Sequence, residues 1–95
     1  MTTANIAKLV DVKTAVRAAV KYFQDLQEVF AIGSPPYRDL RLEEVELSED
    51  EATWLVTLSF GVPEDAIGMK LHREYKIFVV DAKSAAVRSM KIREL

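Results

Sequence analysis

Cysteine is missing from this chain of 95 residues, which excludes disulfide frameworks, thiolate nucleophiles and cysteine-based zinc sites together. Histidine occurs once, as His72, so a general base or metal ligand there would need partners from elsewhere in the chain. No glycine-rich phosphate loop of recognised spacing is present. No apolar run approaches the roughly 20 residues of a membrane-spanning helix. The stretch from Ala4 to Val10 is too short for a signal-peptide core and has no basic segment before it. These absences place the chain in the cytoplasm as an expectation, with no membrane span and no cofactor.

What remains is the composition of a folded protein, 49% hydrophobic and 29% charged. The length suits one domain spanning residues 1–95, with 1–10 as an N-terminal extension. Its stability should be on the order of 5 to 10 kcal/mol. The net charge of −2 is unevenly spread. Residues 38–65 set nine acids against Arg38 and Arg41, whereas residues 66–95 set seven bases against Glu74, Asp81 and Glu94. The middle is acidic and the end basic.

Periodicity supplies the elements. Val12, Val16, Ala19, Val20, Phe23, Leu26 and Phe30 recur at spacings of three and four, one face of a helix that Asp11 can cap and that Gly33, Pro35 and Pro36 terminate. Beyond Tyr37 the period falls to two. Leu40 and Leu42 share one parity and Val45 and Leu47 the other, which predicts a β-bulge near Glu43 and Glu44. Residues 48–51 form a hairpin turn, after which Trp54, Val56, Leu58 and Phe60 alternate as a half-buried strand. A long connection from Gly61 to about Leu71 leads to a strand at about 73–80. A turn at 81–85 then leads to a last strand at about 87–93. The expected fold is α+β, an N-terminal helix packed on a four-stranded antiparallel meander. Ile77 and Val79 alternate with Phe78 and Val80, so the third strand is apolar on both faces and either pair could face inward.

The stretch Tyr75-Lys76-Ile77-Phe78-Val79-Val80-Asp81-Ala82-Lys83-Ser84, followed by Val87, resembles the strand, Asp-Ala turn and next strand of PepSY-type domains. Trp54, Val56 and Leu58 resemble the tryptophan-bearing strand of the same family. Ser84 and Ala85 stand where that pattern has Thr-Gly, so a left-handed turn there would carry about 1 kcal/mol of strain. The resemblance implies a cystatin-like helix-on-sheet fold and a link to modulation of peptidases, usually outside the cytoplasm. The Gln-x-Val-x-Gly inhibitory loop of cystatins is not present.

Three charged or polar groupings have plainer explanations than chemistry. Glu43, Glu44, Glu46, Glu49, Asp50 and Glu51 lack the spacing of a calcium loop and suit a charged edge strand and a solvated hairpin. Lys70, Arg73, Lys76, Lys83, Arg88, Lys91 and Arg93 could line a nucleic-acid surface with Tyr75 and Phe78. The acidic pI of about 5.4 argues against it. Like charges along each edge strand disfavour edge-to-edge homodimers. The open sheet face remains, with Leu55 beside one pair from the third strand; either a protein partner or a second copy covers it, or the 61–71 loop or residues 1–10 fold over it. The leading expectation is a non-enzymatic binding or regulatory module using Leu55, Ile67, Met69 and Phe78. The alternative is a small-ligand binder or enzyme whose helix–sheet pocket is lined by Tyr22, His72 and Tyr75.

Overall fold

The computed structural model describes residues 8–30, 37–65, 67 and 69–93. It places one helix, α1 (Val12–Phe30), before four strands: β1 (Arg38–Leu47), β2 (Thr53–Pro63), β3 (Leu71–Asp81) and β4 (Val87–Ile92). The strands pair antiparallel in the order β1-β2-β3-β4, giving the α+β meander its sequence implies. None of the described helices is long and apolar enough to cross a membrane. The residues expected to stop the helix, Gly33, Pro35 and Pro36, lie outside the described residues, as do residues 1–7 of the extension.

Asp11 caps α1: its Oδ1 accepts from the Thr14 amide at 2.8 Å, and its carbonyl takes the first helical hydrogen bond from Ala15. Hydrogen bonding to Thr14 holds the Asp11 carboxyl below its usual range. The buried stripe is Ala15, Ala19 and Phe23, with Val16 and Val20 at its flanks. The two alanines let the helix approach the sheet closely, and Phe23 fills the space beyond them. Val12 and Phe30, both on the expected apolar face, are exposed. The apolar period overruns the stretch that the sheet can cover.

The sheet is built around β2. Val56, Leu58 and Phe60 face α1 together with Phe78 and Val80 from β3, so Phe78 and Val80 are the inward pair and Ile77 and Val79 the outward one. The parity switch in β1 falls where expected, with a register shift between Leu42 and Glu44. A second shift, between Arg38 and Arg41, was not legible from apolar spacing; it contains Asp39 at φ 54°, a conformation that aspartate tolerates better than most residues. Two expectations are corrected. β2 is not half-buried, because Thr57 and Ser59 on its outward side are also buried. Strand pairing continues to Pro63 and Leu71, so the connection expected from 61 to 71 is confined to 64–70.

Residues 8–10 lie on the helix side of the sheet. The Val10 amide donates to the Ala82 carbonyl at 2.7 Å, and Trp54 Nε1 donates to the Val10 carbonyl at 3.0 Å. This strap fastens the start of the helix to the ends of β2 and β3.

The β3–β4 turn keeps the left-handed residue that its sequence makes costly, since Ala85 has φ 65°. Asp81 holds the turn: its Oδ1 accepts from the Lys83 and Ser84 amides at 2.8 and 3.0 Å, and its Oδ2 pairs with Arg88. The amides of Ser84 and Lys83, followed by Arg88, bring the Asp81 carboxyl down to about 2. Because the folded state depresses this pKa, its stabilising effect is complete above the ordinary 3.8 and is lost as pH falls through about 2. Accordingly, the difference in urea midpoint between wild type and Asp81→Asn should be greatest near neutral pH and shrink towards zero as the buffer is acidified through that window. Ala85→Gly should stabilise the domain by about 1 kcal/mol by relieving the left-handed strain, read from urea unfolding followed by Trp54 fluorescence.

Candidate functional site

Uninterrupted pairing makes the β2–β3 hairpin an arm: both strands run 11 residues without a register shift between them. Its end is ordered by hydrogen bonds, from the Glu64 amide to the Lys70 carbonyl at 2.8 Å and from the Met69 amide to Asp65 Oδ1 at 2.9 Å. On this frame Ile67 and Met69 stand 78% and 77% exposed. Leu71, more than a third exposed, lies across Gly61, where an added Cβ would sit 3.2 Å from Leu71 Cδ1. Ile67 and Met69 therefore do not cover the sheet.

Carboxylates hold His72 on both sides. Its Nε2 lies 2.9 Å from Glu74 Oε2 and its Nδ1 3.6 Å from Glu64 Oε1. That arrangement places the imidazole among solvent-accessible acids at the end of the hairpin. Among the described residues no group of three or more histidines and acids is arranged to hold a metal ion.

On the outward face of the sheet lies a charged belt. Arg73 Nη1 donates to Ser59 Oγ at 2.8 Å, Ser59 Oγ donates to Glu43 Oε2 at 2.5 Å, and both Arg73 guanidinium nitrogens reach the Asp39 carbonyl at 3.1 Å. Arg73 and Arg41 share the Asp39 carboxylate at 2.6 and 2.5 Å, and Arg93 pairs with Glu44 at 3.1 Å. The Arg41 guanidinium, aided by Arg73, lowers the Asp39 pKa. The two β1 bulges supply this belt with Asp39 and Glu43, because each places an acid outside the regular pairing. These pairings, with Arg88 on Asp81, also split up the basic end of the sequence.

The proposed partner-binding residues do not form one surface. Ile67 and Met69 occupy the hairpin tip. Leu55, half-buried, lies on the outward face opposite Val79, eight residues or about 27 Å along β2 from the end of that strand. Phe78 is a correction: it is completely buried and points at the helix, edge-on to Tyr22 and Phe23 at 6.3 and 6.4 Å between ring centroids. Alternation along an unbroken β3 puts Ile77 and Val79 on the outward face instead. Both are only partly exposed.

The ligand trio is likewise dispersed. Tyr22 packs on Phe78 on the helix side of the sheet, Tyr75 is opposite Ser59 on the outward side, and His72 sits at the hairpin end. The sheet itself separates the two tyrosines. A helix–sheet cleft of about 420 Å³ does exist, but other residues line it. Its floor is the aromatic group Phe23, Tyr37 and Phe60, with Leu26 and Met90 at its sides and Glu74 and Lys76 on the sheet. Phe23 lies 4.9 Å from Tyr37 and 4.6 Å from Phe60 between ring centroids. Sequence reading missed this site because no period marks a charged pair on the inward face of a strand.

Core and tip should separate cleanly in a truncation pair. Phe78→Ala should cost about 3 to 5 kcal/mol and Ile67→Ala no more than about 0.5 kcal/mol, measured by chemical denaturation. In comparison with known proteins, the chain matches no family model, no curated protein and no solved structure.

Proposed function

We propose that the domain is a non-enzymatic binding module that engages a protein partner through the tip of the β2–β3 hairpin. The observation that carries this reading is the exposure of Ile67 and Met69 at the end of a hydrogen-bonded arm. Leaving two large apolar side chains in water forgoes roughly 1.5 to 3 kcal/mol each, which a partner can recover by covering them. Methionine adapts its shape to an apolar surface at small cost. Because the Asp65 carboxylate already holds the Met69 amide and the Glu64 amide holds the Lys70 carbonyl, little conformational entropy is lost at these positions on docking. The resemblance of residues 75–84 to PepSY-type domains agrees with an action on another protein. Leu55 and the outward face are not needed for this contact, since the charged belt lies between them and the tip.

A double substitution, Ile67→Asp with Met69→Asp, tests the reading. Wild type and variant are immobilised, exposed to lysate of the source cells, and the retained proteins are identified by mass spectrometry. The partner is then purified and titrated. Its affinity for the variant should fall at least about 100-fold, with the urea midpoint unchanged. A partner that binds both forms equally would move the contact away from the hairpin, and no selectively retained protein would remove the binding-module reading.

A further inference from the structure

We infer that the helix–sheet cleft is a second binding site, selective for a small aromatic carboxylate that rests its ring on Phe23, Tyr37 and Phe60 and its anionic head on Lys76. This site is independent of the hairpin tip.

Lys76 is the anomaly that identifies it. Inward positions on β2 and β3 nearest the helix are apolar, yet position 76, two residues from Phe78 and opposite Leu58 and Ile92, is a lysine. Only 19% of its side chain is exposed. Among the described residues its ammonium has no hydrogen-bond partner: the nearest carboxylate oxygen, Glu74 Oε1, is 4.0 Å away, and the other oxygen of Glu74 is engaged by His72 at 2.9 Å. A partly desolvated cation with free donors gains more from an anion than an exposed one does, because water screens the contact less.

Shape supplies the other half of the argument. At about 420 Å³ the cleft lies within the range of roughly 300 to 1,000 Å³ usual for small-molecule sites, which combine apolar walls with a few polar groups. Its floor is aromatic and its Met90 side wall polarisable, a lining that favours a flat ring over a polar body. One cation beside one aromatic floor specifies an apolar ring joined to a single negative head. Glu74 on the same wall would draw a cationic head, but its Oε2 is already engaged by His72 at 2.9 Å, whereas the Lys76 ammonium has no hydrogen-bond partner among the described residues.

Phenylbutyrate, phenylbutanol and phenylbutylamine present the same ring and chain with an anionic, neutral or cationic head, and their titration into the wild-type domain can be followed by NMR. Phenylbutyrate should bind best, shifting the Met90 methyl and the Phe60 ring. The alcohol and the amine should each bind about tenfold or more weaker. Lys76→Gln should lose about tenfold or more of the affinity for phenylbutyrate while leaving that for phenylbutanol unchanged, and Lys76→Arg should retain the preference for the acid. Failure of phenylbutyrate to bind, equal binding of acid and alcohol, or shifts confined to residues outside the cleft would each overturn the assignment. The head-group series on wild-type protein decides the matter even if Lys76→Gln fails to fold.

Discussion

One helix can cover only one face of a four-stranded sheet, and most features of this domain follow from how its other face is made compatible with water. On the covered side the solution is ordinary: Ala15 and Ala19 permit close approach, Phe23 fills the gap, and Val56, Leu58, Phe78 and Val80 complete a dry layer. On the side away from α1, β2 still buries Thr57 and Ser59, with Ser59 having no accessible surface. Side chains from neighbouring strands perform there the covering role that a second helix performs in a three-layer fold.

The two bulges in β1 make that cover workable. A regular edge strand would alternate its side chains without interruption, whereas the extra residues near Asp39 and Glu43 deliver carboxylates to Arg73 and Ser59. An isolated surface ion pair contributes little, because solvent screening and side-chain entropy offset the Coulomb attraction. Here the guanidinium of Arg73 is tied at once to a carbonyl, a carboxylate and a buried hydroxyl, so several bonds share one ordering cost. The belt also divides the outward face, separating the partly covered Leu55, Ile77 and Val79 from the exposed hairpin tip.

Local chemistry made much of this architecture legible. The helical period of 12–30, the Asp11 cap, the parity switch between Leu42 and Val45 and the Asp81 turn each depend on residues close in sequence, where backbone geometry and short-range hydrogen bonding dominate. The exposure of Ile67 and Met69 was not legible, because two apolar residues outside any strand period fit a loop folded over the sheet as well as one that projects. Pairing across the sheet was harder to read. Pro63 and Gly61 suggested a break, but cross-strand partners from Arg73 to Leu71 carry the ladder through both.

The sequence by itself determined the kinds of element and their order, since periodicity and turn chemistry act within a few residues. Only the tertiary structure decided which parity of β3 meets the helix, because Ile77 with Val79 and Phe78 with Val80 are equally apolar choices. That decision buried Phe78, put Tyr75 on the opposite side from Tyr22, and turned Lys76 inward beside the aromatic floor. The physical reason is cooperative packing: the orientation of one strand is set by the summed fit of Phe23, Phe60 and their neighbours, contacts made between residues far apart in the chain.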